Sequence, residues 1–277
     1  MASQGIEPGS GRKRAILLAA FGASSMQGQA SLKNFDSLVR ERFPGIPVRW
    51  AYTSLILRER LARARQKSDS AAKALQRLAF EHFEEIAVQP LQTIAGKEYT
   101  ELCRAAREVA CKAGLVCRAG APLLATDDDV RETARAIVRH LPQERLPNED
   151  VVLMGHGARH AAVARYADLA VAVRGLDSHV HVGAMNGGQR LEEILTRIEG
   201  SRVWLMPLLS VVGRHAVQDM AGEQETSWRS RIEASGRTCV PVLKGMAECA
   251  GFAEIWLRHL GAVVRALGWT CKSVSTE

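Results

Sequence analysis

The feature that most limits what this chain can fold into is a nearly unbroken alternation of short apolar runs with amphipathic stretches. Runs at residues 15–20, 48–52, 85–89, 115–118, 151–154, 180–183, 203–206 and 238–242 have the length and composition of strands. Between them, residues 32–42, 70–83, 99–112, 128–140, 161–174 and 191–198 have helical periodicity, and a last helix at 250–267 closes the chain. Strands separated by a helix must cross over before pairing, which predicts parallel sheets covered by helices on both faces. The pattern breaks at residues 141–150, where Pro142, Pro147 and Asn148 cluster. The expected organisation is a disordered tail (1–11), an N-terminal lobe (12–141) and a C-terminal lobe (150–270).

The two halves echo each other. IAVQPLQTIAGKE (86–98) superimposes on VWLMPLLSVVGRH (203–215) at one constant offset, so that Pro90 falls on Pro207, Leu91 on Leu208, Gly96 on Gly213 and Glu98 on His215. Weaker matches join AAFGASS (19–25) to LMGHGAR (153–159) and VRWAYTS (48–54) to VHVGAMN (180–186). The fold class that follows is α/β, with two similar Rossmann-like lobes whose parallel sheets are flanked by helices. Open sheets of this kind bind ligands beyond the carboxyl ends of their strands. Glu98, His156 and His215 are therefore expected to converge on the groove between the lobes, both histidines coming from the second.

His156 stands between Gly155 and Gly157, which let the backbone approach a ligand or take positive φ. Imidazole nitrogens suit either a metal ion or a proton. His160 lies one helical turn further on, while His179 and His181 alternate on one strand and read as a polar face rather than a metal pair. His82, His140 and His259 read as surface helix residues, Met206 and Met220 as packing.

Composition narrows the function. The formal charge is +7, yet basic and acidic residues are interspersed and no aromatic-rich basic stripe accompanies them, which argues against nucleic acid. An anionic small molecule suits the same excess. The six cysteines form no C-x-x-C pair, consistent with reduced thiols in a cytoplasmic protein. No apolar run reaches the roughly 20 residues that span a bilayer, so no membrane association is expected. Residues 12–23 imitate an export signal but also begin the strand and helix alternation, and the strand reading is preferred. The missing G-x-S-x-G, G-x-x-x-x-G-K-[ST] and G-x-G-x-x-G motifs argue against hydrolase and nucleotide chemistry. Homo-oligomerisation is left open.

The segments AAFGAS, AYTS, VQPLQTIAGKEY, APLL, VLMGHG, VGAMNG and MPLLSVVGRHAVQDMAGE, in that order over nearly the whole chain, resemble the CbiK-type anaerobic cobalt chelatases of class II. The resemblance implies a two-lobed chelatase fold that inserts Co2+ into sirohydrochlorin on the route to cobalamin, with cobalt as substrate metal and neither nucleotide nor organic cofactor. Iron and nickel relatives share the fold. Carried over by position, it makes His156 and His215 the metal-binding and proton-accepting residues and Glu98 the carboxylate near His215. Two positions depart from the pattern: Asn186 replaces the glutamate of V-G-T-V-E-G, leaving a weak amide ligand, and Gln92 replaces the histidine of P-L-H. Arg159 and Arg214 are expected to meet the substrate carboxylates, and Met185, Leu208 and Leu209 to support the ring. Asn186 also opens an alternative, a non-catalytic tetrapyrrole or metal carrier, beside a chelatase for Fe2+ or Ni2+.

Overall fold

A computed structural model describes residues 11–158 and 161–269; the expected tail, apart from Gly11, together with Arg159 and His160, lies outside them. The first sheet contains β1 (Arg14–Ala20), β2 (Val48–Tyr52), β3 (Glu85–Pro90) and β4 (Val116–Ala119), and the second β5 (Asp150–Gly157), β6 (Val180–Asn186), β7 (Arg202–Leu208) and β8 (Thr238–Pro241). Every pairing is parallel, and the orders are the same, β2-β1-β3-β4 and β6-β5-β7-β8. The segment that imitates an export signal forms β1, an inner strand buried on both faces.

Strand alternation divides the apolar side chains into three packed clusters. On β1, Ala15, Leu17 and Ala19 face outward under α3 (Ala71–Phe80) and α4 (Lys97–Ala113), whereas Ile16, Leu18 and Ala20 face inward. On β5, Val152 and Met154 face outward to Trp228 and Ile232 of α8 (Trp228–Ala234), and Val151 and Leu153 face inward. The two inward sets belong to one continuous core shared by both sheets. Together with the last helix, α1 (Met26–Arg42), α5 (Asp127–Arg139) and α6 (Ala164–Arg174) help fill it. The last helix, α9 (Ala250–Ala266), follows the second sheet in sequence but packs on β3 and α5, with Trp256 fully buried.

The remaining helices, α2 (Leu55–Arg63) and α7 (Leu191–Leu195), lie in the β2–β3 and β6–β7 connections. Their sizes differ: the first connection carries α2 and α3, whereas the second carries only α7, five residues long.

The registers move one of the sequence matches by a residue. Ala19 pairs with Pro90 and Met154 with Pro207, so Phe21, rather than Gly22, is the counterpart of His156. The backbone agrees, because Gly22 and Gly157 then correspond and both have positive φ, +96° and +75°. Two histidines are not surface residues. His181 is buried against Asp150 at 2.8 Å, and His259 is buried on α9 with Nε2 2.9 Å from Asp129 of α5.

Candidate active site

A cavity of about 470 Å3 opens between the carboxyl ends of the two sheets. His156 enters it from the end of β5, Asn186 from the end of β6, His215 from the turn after β7, and Glu98 from the first turn of α4 after β3. The predicted convergence of Glu98, His156 and His215 is present, since the three line one space.

The imidazoles face each other with ring centroids 5.1 Å apart and planes inclined by 68°. Each is oriented through Nδ1. His215 Nδ1 lies 2.6 Å from Asp219 Oδ2, and His156 Nδ1 lies 3.3 Å from its neighbour's carbonyl oxygen, Gly157 O. A carbonyl and an ionised carboxylate only accept, so in the neutral rings both contacts place the proton on Nδ1, and Nε2 keeps its lone pair without a partner among the described residues. The contact of His215 has the second-partner arrangement that commonly fixes metal-binding imidazoles.

The backbone under each ring explains the local sequence. Residues His215–Met220 form a π-helical turn, closed by the Ala221 N–H to Ala216 C=O bond at 3.1 Å, that brings Asp219 beside His215. At His156, a side chain on Gly155 would collide with the ring of Tyr166, and one on Gly157 with Asn186 O. Tyr166 is buried, and its hydroxyl bonds to the backbone of His156 and Gly157 and to Thr93 of the opposite half. Burial pushes its ionisation up to about 12, so it stays a neutral phenol. Tyr99, also on the cavity wall, is likewise held near 12 by burial and by Cys103.

Glu98 Oε2 accepts a 3.0 Å bond from Thr53 Oγ1. Asn186 donates its amide N–H to His156 O at 3.2 Å, so it clips the backbone of the histidine turn and keeps only its oxygen for a ligand. Gln92 lines the cavity, with both polar atoms of its amide buried and without partners among the described residues.

The other expected contacts divide. Leu209 and Arg214 line the cavity, Arg214 donating to Gln218 Oε1 at 2.7 Å. Leu208 does not, because strand alternation turns it into the shared core, and Met185 packs on the outer face of the second sheet, opposite to Asn186. Arg159 lies outside the described residues. Sequence reasoning missed Phe21, whose ring sits 6.0 Å from that of His215, together with Asp219, Thr53 and Tyr166. The H-x-x-x-D spacing of His215 and Asp219 was the available signal for one of them.

Among the described residues no group of three or more His, Cys, Asp or Glu is placed to cage a metal ion. Two lone pairs on an open, largely apolar cavity can hold a divalent ion loosely, or take up protons, without enclosing either.

The family described as "Cobalt chelatase (CbiK)" matches residues 14–265. This chain belongs to the CbiK cobalt chelatase family. Among its relatives, sirohydrochlorin cobaltochelatase CbiKC of Nitratidesulfovibrio vulgaris is 52% identical over 259 residues, covering 92% of each chain. The sirohydrochlorin cobaltochelatase of Salmonella typhimurium is 34% identical over 257 residues, covering 90% of this chain and 95% of that one. SirB from Bacillus subtilis, solved with Fe3+, superimposes with a TM-score of 0.62 at 16% identity over 94% of this chain and all of its own, which relates the folds alone. The two-lobed chelatase architecture expected of a CbiK chain is thus the one observed.

Proposed function

We propose that the protein inserts Co2+ into sirohydrochlorin without a nucleotide, on the route to cobalamin. The observation that carries this is the pair of facing imidazoles, each held through Nδ1 and with no partner at Nε2 among the described residues, on the wall of one interlobe cavity. Insertion requires an aqua ion to exchange water for the four ring nitrogens and two pyrrole N–H protons to leave. Neutral imidazoles serve both needs: cobalt accepts nitrogen ligands, and two protein donors hold it weakly enough to release it. In this reading His156 and His215 hold the incoming ion, Asn186 Oδ1 adds a weak oxygen ligand, Glu98 is available for a proton throughout, and each histidine can accept one at Nε2 once the ion has passed to the ring. Leu209 supports the ring, and Arg159 and Arg214 meet its carboxylates. The halves 12–141 and 150–270 act as the lobes, with α9 of the second crossing over to pack on β3 and α5 of the first.

We place the protein in the cytoplasm. The five described cysteines are all free thiols, and no described helix is long and apolar enough to cross a membrane. Neither nucleic acid nor an organic cofactor enters the scheme.

The test is the absorbance change of sirohydrochlorin on addition of Co2+, Fe2+ or Ni2+, with and without protein. His156→Ala and His215→Ala are each expected to reduce the cobalt rate strongly while thermal melting stays close to wild type. Full rates in both variants would remove this assignment. Asn186 favours one second reading, a tetrapyrrole or metal carrier, and ring binding with no rate above the spontaneous one is its signature.

A further inference from the structure

Beside the main cavity lies a second cleft of about 540 Å3, separated from it by the ring pair Phe21 and His215, which lines both. Its outer wall is α2, and α2 is the element by which the two halves differ most, since the equivalent connection in the second half carries only the short α7. An addition to a repeated fold that borders the reactive histidine is where a substrate-specific feature belongs.

The charges in this cleft are unbalanced. Arg60 and Arg63 of α2 face Arg214, which comes from the other half, and Glu59 is the one carboxylate among the residues around them. Glu59 and Arg63 stand four residues apart in the favourable order for a helical ion pair, yet they make none, and neither has a partner among the described residues. Arg60 makes a single long bond of 3.4 Å to Ser24 Oγ, and Arg214 donates to the neutral Gln218. Thus three guanidinium groups gathered around one cleft meet no carboxylate among the described residues. Ile56, 72% exposed, adds an apolar lip to the same cleft.

We propose that this cleft receives carboxylate arms on one edge of the tetrapyrrole, with the ring in the main cavity and that edge passing Phe21 and His215 toward α2. The proposal rests on the function given above. Guanidinium forks bind carboxylates in pairs of charge-assisted hydrogen bonds, and the apolar lip suits the ring edge that carries them. The same three charges repel a divalent cation, so this side serves the anionic substrate and not the metal ion.

The experiment compares wild type with Arg60→Ala/Arg63→Ala and with Arg60→Lys/Arg63→Lys, leaving Arg214 intact beside His215. Binding of metal-free sirohydrochlorin is followed by absorbance titration at several salt concentrations, with cobalt insertion kinetics and cobalt binding measured separately. The alanine pair is expected to weaken ring binding and raise KM by roughly tenfold to a hundredfold, to flatten the salt dependence, and to leave kcat and cobalt affinity within about twofold. Lysines should restore part of the loss. A porphyrin carrying only two carboxylates should bind both forms with nearly equal affinity. Unchanged sirohydrochlorin affinity in the alanine pair, a loss in kcat at constant KM, or an equal loss for the two-carboxylate ring each overturns the proposal. Wild type that binds sirohydrochlorin yet inserts no cobalt removes the catalytic reading alone, because docking is read from binding; wild type that binds no tetrapyrrole overturns both.

Discussion

Asp219 governs which nitrogen of His215 is free, since its carboxylate accepts from Nδ1 at 2.6 Å. Replacing it with asparagine removes the charge and offers a donor as well as an acceptor, so the ring loses both its fixed tautomer and its orientation. Asp219→Asn is expected to lower cobalt insertion by about 10- to 100-fold, the usual cost of losing a histidine's outer partner, with little change in thermal melting because the carboxylate is 43% exposed. Retention of the full rate would show that His215 needs no such partner. Gln92 poses the opposite case. Its amide is buried without partners among the described residues, and an orphaned polar group of that kind costs about 1–3 kcal/mol. Gln92→Leu, similar in size and apolar, is expected to raise the urea midpoint of unfolding; a lowered midpoint would mean that the amide is satisfied in solution.

At the scale of elements, the histidine turn at the end of β5 depends on what its glycines leave out. Tyr166 of α6 fills the space where a Gly155 side chain would be, and its hydroxyl ties the turn to Thr93 across the groove. Gly155→Ala is therefore expected to destabilise the protein by about 1–3 kcal/mol through overpacking, read from urea denaturation, and to displace His156, read from the insertion rate. A change in neither would mean that Tyr166 moves aside freely. All eight strands were legible in the sequence: the inner ones, β1, β3, β5 and β7, are continuous apolar runs, and the edge strands β2, β4, β6 and β8 followed from their spacing in the alternation. The helices were less so. The start of α1 was expected at residue 32, but the helix begins at Met26, where Gly28 and polar residues carry no apolar period. α2 was missed because LILRERLAR buries only Leu57 and Leu61, and α8 because it is only seven residues long. The two histidines and Glu98 were legible through the repeat, whereas Phe21 was hidden by the one-residue slip in its weakest match, a slip that only the strand register at Pro90 and Pro207 reveals.

For the whole molecule, three buried carboxylates join distant parts of the chain. Burial pushes the carboxyl of Asp129 up, but bonds from Arg258, Thr126 and His259 outweigh it and hold it below its usual range. The same opposition leaves Asp150 low through His181 and the Gly200 N–H, and Glu85 low through Arg12, Trp269 and Arg14. A lowered folded value stabilises the protein above the unfolded value, near 4 for these groups, and that stability disappears as the pH falls through the folded one. The urea midpoint is therefore expected to hold at mild pH and to drop below about pH 4. Asp129→Asn should lower the midpoint at neutral pH and make the acid decline shallower. An equally steep decline in the variant would exclude Asp129 as a contributor.

Because α9 covers β3 although the whole second sheet lies between them in sequence, the half of the chain that leaves the ribosome first is completed last. Its inner apolar face stays open until residues 250–266 have been synthesised, a long-range closure of the sort that slows folding and leaves sticky intermediates. A chain ending before Ala250 would retain both sheets and every histidine of the cleft, yet it would lack the piece that seals the earliest-made layer.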